Sequence, residues 1–292
     1  MEFKDYFSRI KYHEEEKPIQ KQKAIILLQH KSNASIFIKL LSYKFPLPQH
    51  LKRVKIYDNE KIYILITTLE NQNITEIEKE LIEIYKKCAN DVFYEESKEC
   101  KLDIQIIDIP ITQPYTKKQF LESNEIWPTN FYPRKEEIID KEYVINTFKN
   151  ILSDIYSFKK NFNLFDIQLP KNKNKIEKYL HCSGFGVLFN YKDFKEGKKY
   201  KIYKDSKFIT EHSIFKAIRD YSYNTEEYLC TDMDIFLVKE PCISCAMALI
   251  HGRIKRVFYL LDSDIKIFSK HKLQYRKELN HKYTVYKLNN EK

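Results

Sequence analysis

Residues 228–261 read YLCTDMDIFLVKEPCISCAMALIHGRIKRVFYLL. Asp234 to Lys239 is a short apolar run suited to a buried strand, Cys242 to His251 is an apolar helix that Gly252 ends, and Lys255 to Leu261 is a second strand-length run. Strand, helix and strand joined this tightly form a parallel βαβ unit, because only a crossover through the helix returns the chain to the same end of the sheet. Pro241 stands just ahead of Cys242 and Cys245, so two thiols three apart lie at the start of the helix. Unpaired N–H groups and the helix dipole stabilise thiolate there, and both sulfurs can turn onto one ion. A lone Cys-x-x-Cys is also the mark of a redox pair. The strand and proline before it favour the metal reading.

Upstream, His212 opens another helix, with Phe215, Ile218 and Tyr221 facing inward. One imidazole and two thiolates suit tetrahedral zinc, so His212, Cys242 and Cys245 are the expected metal ligands. Zinc-dependent nucleobase deaminases add a Glu two residues after the His, which takes a proton from the metal-bound water and passes it on. Here that position is Ile214, which carries no proton. General acid–base catalysis contributes roughly 10²–10⁴-fold, so the expectation is a protein that binds zinc and keeps a deaminase shape but has no catalytic residue of its own. Glu211 is the alternative base, three residues from Ile214, although complementing a helix N-terminus is the better account of it. The fourth zinc position stays open between water, a tail segment, His271 and His281.

The N-terminal part has its own period. Residues 24–29 (AIILLQ) suit a buried strand, and Ser32-Asn33 caps a helix through Ile36, Phe37, Leu40 and Leu41. Strands from Leu51 to Tyr57 and Lys61 to Leu69 meet at the turn formers Asp58-Asn59. A helix from Ile74 to Cys88 opens with the capping pair Thr75 and Glu78, and a last strand runs from Leu102 to Ile109. The order β-α-β-β-α-β is the ferredoxin-like split motif, whose open sheet face often carries RNA but also hosts other roles.

Between the two halves, residues 110–133 contain four prolines and the sole Trp. This stretch reads as poor helix over most of its length, an ordered strap pinned by Trp127, Phe131 and Tyr132. A helix from Glu136 follows, with Ile138, Ile139, Tyr143, Ile145, Phe148 and Leu152 on its apolar face, then strands at Phe185 to Phe189 and Lys199 to Tyr203. The expected architecture is α/β: a ferredoxin-like domain over residues 1–109, a connector over 110–133, and over 134–292 a cytidine deaminase-like domain with a mixed sheet and one zinc site.

The 292 residues carry 51 Lys and Arg against 41 Asp and Glu, a net charge of +10 that suits a polyanionic partner such as nucleic acid. The chain is also swollen in Tyr (22) and Phe (19) and has 4 Gly, a pattern of biased codon usage that weakens the charge argument. Cys88, Cys100, Cys182 and Cys230 show no framework spacing and read as reduced, buried thiols. No stretch reads as a leader or a membrane span, so the nucleus or cytoplasm is the expected location.

The run from 228 to 260, the strap QPYTKKQFLESNEIWPTNFYP (113–133) and the ending KELNHKYTVYKL (277–288) together resemble the catalytically inactive subunit of the eukaryotic tRNA wobble-adenosine deaminase. In that family an aliphatic residue replaces the Glu of the His-x-Glu motif, as Ile214 does here. The resemblance implies a heterodimer with a catalytic deaminase subunit, tRNA as the shared substrate, adenosine-to-inosine conversion at the first anticodon position, and tRNA binding by the N-terminal domain. Lys52, Arg53 and Lys55, and Lys266, Lys270, Lys272, Arg276 and Lys277, are the candidate phosphate contacts, though a solvated lysine-rich face accounts for any one of them. A zinc-stabilised RNA-binding scaffold without an enzyme partner is the remaining alternative. Two features depart from the family pattern: Ser213 stands where a small apolar residue is common, and residues 262–269 lack the expected glycines.

Overall fold

The computed structural model describes residues 2–69, 74–89, 102–133, 137–156, 182–225, 227 and 229–289. Helix α1 (Phe3–Tyr6) leads into strand β1 (Phe7–Arg9), which pairs antiparallel with the last strand of the chain, Phe7 opposite Leu288. Residues 1–12 therefore belong with residues 137–292 in one unit, while residues 13–136 form the other. The boundaries differ from the 1–109, 110–133 and 134–292 division read in sequence, because a three-residue strand has no period to reveal where it pairs.

In the 13–136 unit the elements are α2 (His13–Glu16), β2 (Lys21–His30), α3 (Ala34–Lys44), β3 (Val54–Ile56), β4 (Lys61–Thr68), α4 (Ile74–Ala89), β5 (Ile104–Pro110) and α5 (Lys117–Ile126). The sheet runs β3-β4-β2-β5 with every pair antiparallel, the ferredoxin-like arrangement. Phe37 and Leu41 of α3 and Ile77 and Leu81 of α4 share one apolar cluster with Ile25, Leu27, Ile64 and Ile66 of the sheet. The opposite face is not open along its whole length. Ala24, Ile26, Leu65 and Ile109 cluster there with Leu51 and the fully buried Trp127, whose indole N–H donates to the Lys52 carbonyl at 2.7 Å.

The strap is thus ordered and held by Trp127, though it carries one helix and one of its three expected aromatic pins fails. Ten of its residues form α5, opened by a capping box in which Thr116 Oγ1 accepts the Gln119 N–H at 3.1 Å and the Gln119 side chain accepts the Thr116 N–H. The Thr-x-x-Gln signal for this helix was present in the sequence. Phe131 stacks on Phe120 with ring centroids 5.1 Å apart, whereas Tyr132 is 85% exposed and pins nothing. The strand expected from Leu51 begins at Val54, since Leu51 and Lys52 bond instead to Thr129 and the Pro128 carbonyl.

The other unit continues with α6 (Lys141–Tyr156), β6 (Phe185–Phe189), α7 (Tyr191–Lys195), β7 (Tyr203–Lys204), α8 (Ser213–Thr225), β8 (Asp234–Lys239), α9 (Ile243–His251), β9 (Arg256–Leu261) and β10 (Thr284–Leu288). Its sheet is mixed, in the order β1-β10-β9-β8-β6-β7, with β8, β9 and β10 parallel and the remaining pairs antiparallel. Alternation along the strands divides the core. Ile235, Leu237, Val257, Tyr259 and Val285 join the cluster of α8 and α9, while Phe236, Val238, Phe258, Leu260 and Tyr286 join that of α6. At the strand ends Asp234 and Arg256, register partners on β8 and β9, form a buried bidentate pair at 2.7 and 2.6 Å, and Tyr143 donates to Asp234 at 2.9 Å.

Helix α6 starts later than residue 136, which lies outside the described residues. Asp140 Oδ1 accepts the N–H groups of Glu142 and Tyr143 at 2.8 and 3.1 Å and caps it, leaving Ile138 98% exposed rather than on the apolar face. The strand expected over 199–203 shrinks to Tyr203–Lys204, and the short helix α7, capped by Asn190, was not anticipated.

Candidate metal centre

Two helix starts meet on the α8 and α9 side of the mixed sheet. His212 is the residue before α8 and Cys242 the residue before α9, with Cys245 in its first turn. The Sγ atoms of Cys242 and Cys245 lie 3.6 and 3.4 Å from His212 Nδ1. The three residues singled out in the sequence are therefore brought together. A fourth joins them: Cys182, just ahead of β6, completes a group whose ligand atoms all lie within 4.8 Å of one another. Among the described residues no other cluster of His, Cys, Asp and Glu has this form. Cys182 is buried, as expected of it, but is no bystander thiol. Neither His271, which is exposed, nor His281, whose Nε2 lies 2.8 Å from the Ile254 carbonyl, belongs to this group.

The donor chemistry fits a thiophilic tetrahedral ion. With no cation to neutralise them, three adjacent sulfurs cannot all ionise. Hydrogen bonds from the thiols of Cys182 and Cys245 hold Cys242 far below the usual thiol range; the same contacts push Cys182 up to about 12 and Cys245 well above its ordinary value. A divalent metal removes that conflict. The set of three sulfurs and one imidazole suits zinc, and His212, Cys242, Cys245 and Cys182 are the residues that would hold it.

Carboxylates around this group have other tasks. Ile214 fills the proton-carrier position and is fully buried in the apolar cluster. Glu211 is held at the surface: Arg219 donates to Oε1 at 3.2 Å from both terminal nitrogens, Lys216 lies 3.6 Å from Oε2, and the Arg219 hydrogen bond keeps its carboxyl below the usual range. Asp205, which the sequence did not flag, accepts the backbone N–H groups of Cys182 and Gly184 on Oδ2 at 3.0 and 2.6 Å, and that of Ser213 on Oδ1 at 2.7 Å. Glu240 accepts the N–H groups of Phe268 and Ser269 at 2.6 and 2.9 Å, and the N–H and hydroxyl of Ser263 both at 3.3 Å. This one carboxylate orders the glycine-poor loop 262–269, with Lys266 taking the left-handed conformation (φ 53°).

The basic residues separate into two groups. Arg53 donates to the carbonyls of Phe45, Leu65 and Ile66 at 2.6, 3.0 and 3.0 Å, and burial lowers its pKa; its guanidinium is a structural tie. Lys55 donates to the Ile126 carbonyl at 3.1 Å and sits 5.8 Å from the Trp127 ring centroid. Lys52, Lys266, Lys270, Arg276 and Lys277 are exposed, and Lys272 is half-buried.

No family model matches the chain. It is 25% identical to a Danio rerio protein called probable inactive tRNA-specific adenosine deaminase-like protein 3, over 87% of this chain and 82% of that protein. It is 44% identical to the Arabidopsis thaliana tRNA-specific adenosine deaminase TAD3 over 31% of this chain and 23% of that one, and 22% identical to the Schizosaccharomyces pombe tRNA-specific adenosine deaminase subunit tad3 over 61% and 57%. These relatives carry the names TAD3, tad3 or inactive tRNA-specific adenosine deaminase-like protein 3. A solved structure from biochemical and structural studies of A-to-I editing by tRNA:A34 deaminases at the wobble position is 18% identical, with a TM-score of 0.28, over 35% of this chain and 80% of that one. The zebrafish alignment takes in both units, whereas the Arabidopsis alignment spans less than a quarter of the plant protein.

Proposed function

We propose that this chain is the non-catalytic, zinc-holding subunit of a tRNA-specific adenosine deaminase that converts the wobble adenosine of the anticodon to inosine. One observation carries the reading: a deaminase-type group of His212, Cys242 and Cys245 is kept intact beside a buried Ile214 where the proton carrier belongs. In an active deaminase, zinc lowers the pKa of a bound water and a carboxylate moves its protons. In this chain the ligand residues would tie the starts of α8 and α9 and the Cys182 segment together, and no side chain beside them moves a proton. Glu211 does not take over, because Arg219 and Lys216 hold it as an ionised surface carboxylate.

Turnover then comes from a catalytic deaminase subunit, and this chain supplies a partner surface and cationic contacts to tRNA phosphates. Lys52, Lys266, Lys270, Arg276 and Lys277 are the exposed candidates for those contacts. The complex works where tRNA is processed, in the nucleus or cytoplasm. Among the described residues no helix is long and apolar enough to cross a membrane.

The test is reconstitution. The full chain, mixed with a candidate catalytic deaminase subunit and tRNA carrying adenosine at the first anticodon position, yields inosine there, while neither chain alone does. Inosine formed by this chain alone, or repeated failure to copurify with any deaminase-fold partner, overturns the proposal.

A further inference from the structure

Zinc sites built for catalysis use three protein ligands and leave one position for water; structural sites fill all four. The segment carrying Cys182 bears on which kind this is. We infer that Cys182 is the fourth zinc ligand, so that a protein sulfur occupies the water position and the centre is a closed, structural Cys₃His site. The inference rests on the zinc reading above but not on the partner or the tRNA.

Geometry supports it first. Around a tetrahedral ion with Zn–S about 2.3 Å and Zn–N about 2.05 Å, sulfur and nitrogen ligands stand ~3.6 Å apart and two sulfurs ~3.8 Å apart. The two Sγ···Nδ1 separations of 3.6 and 3.4 Å already have that length. No pair in the group exceeds 4.8 Å, so closing every edge moves a sulfur by no more than about 1 Å.

The second support is how Cys182 is held. Its N–H and that of Gly184 share Asp205 Oδ2, while Asp205 Oδ1 takes the N–H of Ser213, the residue after His212. The residues that follow the two ligands are also joined, with the Ser183 and Ser213 hydroxyls 2.8 Å apart and both buried. Gly184 has φ 77°, a conformation open to glycine, which turns the segment so that both amides reach the carboxylate. The Cys242 N–H donates to Cys182 Sγ at 3.0 Å, a bond that steadies a thiolate and aims it at the same centre. One carboxylate and one hydroxyl pair thus lock the Cys182 segment to the start of α8.

Two features then exclude chemistry independently: Ile214 moves no proton, and no coordination position is left for the water it would have served.

X-ray absorption at the zinc edge of the full chain as purified is expected to show three sulfurs at ~2.3 Å and one nitrogen at ~2.0 Å. With cobalt in place of zinc, Cys182→Ser loses about a third of the sulfur-to-metal charge-transfer intensity, one thiolate of three, whereas Cys230→Ser, a buried thiol outside the group, leaves it unchanged. A shell of two sulfurs, one nitrogen and one oxygen overturns the closed site and leaves the zinc reading standing; a chain that retains no zinc overturns both. Should Cys182→Ser fail to fold, the absorption spectrum of the unaltered chain decides alone.

Discussion

Restoring the missing carboxylate by Ile214→Glu will destabilise the protein without making it an enzyme. Ile214 is fully buried within the apolar cluster that also contains Leu237, Ala246 and Leu249. Replacing it gives up about 1.5–3 kcal/mol of apolar burial. Placing a carboxyl group there without a built partner, even a protonated one, costs about 1–3 kcal/mol more. The expected loss is therefore about 2.5–6 kcal/mol, which for a unit of this size lowers Tm by roughly 5–24 °C. Ile214→Val, which removes one methylene, costs only about 0.5–1.5 kcal/mol and calibrates the site. Thermal unfolding of the two variants, together with inosine formation by the mutant chain alone on tRNA, measures both halves of the prediction. A Glu variant that melts within a degree or two of the parent would mean that position 214 faces a polar pocket, and turnover by that variant without a partner would refute the reasoning outright.

Asp234→Ala takes the fully buried partner from the Arg256 guanidinium, whose side chain is 9% exposed, and leaves it the partly exposed Glu137 at 3.2 Å; the expected cost is about 3 kcal/mol in urea unfolding, and Asp234→Ala with Arg256→Met recovers most of it. Arg53→Ala breaks three charge-assisted bonds and lowers stability by about 1.5–3 kcal/mol, whereas Lys52→Ala changes stability by less than about 0.5 kcal/mol. In tRNA binding titrations Lys52→Ala is expected to lower the salt dependence by about one phosphate contact, and an unchanged slope removes Lys52 from the interface. Chelating zinc from the full chain lowers the melting transition of the unit formed by residues 1–12 and 137–292 and leaves that of residues 13–136 in place; a single unmoved transition argues against a structural metal.

Where local chemistry repeats along the chain, the fold was legible. The βαβ unit around Cys242 declares itself through two apolar runs flanking a helix, and β8, α9 and β9 fall within a residue of the expected bounds. The split βαββαβ motif is legible in its order, from apolar strand runs and helices repeating at helical spacing, although its strand bounds shift by up to three residues. Features held by long-range partners were not legible. Strand β1 has three residues and pairs with residues 286–288 at the far end of the chain. Arg53 reads as a surface cation in an alternating basic strand, yet its task is to satisfy three backbone carbonyls. Helix α5 lies between these cases: its capping box is written at Thr116 and Gln119, but the prolines on either side outweighed it.

The metal group shows the same division more sharply. His212, Cys242 and Cys245 follow from spacing alone, because each lies at a helix start within a motif. Cys182 follows from nothing local, and neither does Asp205, since one carboxylate joining two loops and a helix start leaves no periodic trace. Yet one departure from the family pattern, Ser213, finds its place once the loops are in view. Ser213, where a small apolar residue is common, meets Ser183 with its hydroxyl and Asp205 with its amide, and both bonds hold the segment that presents Cys182. Ile214, the next residue, is spared any need for water because a sulfur faces the ion instead. Losing a proton carrier relaxes the demand for an open coordination position, and a fourth protein ligand then stabilises the fold at no cost to this chain's own role. Ser213, Ile214 and Cys182 in that sense serve one task of the site, holding two helix starts and a loop rather than a reacting water.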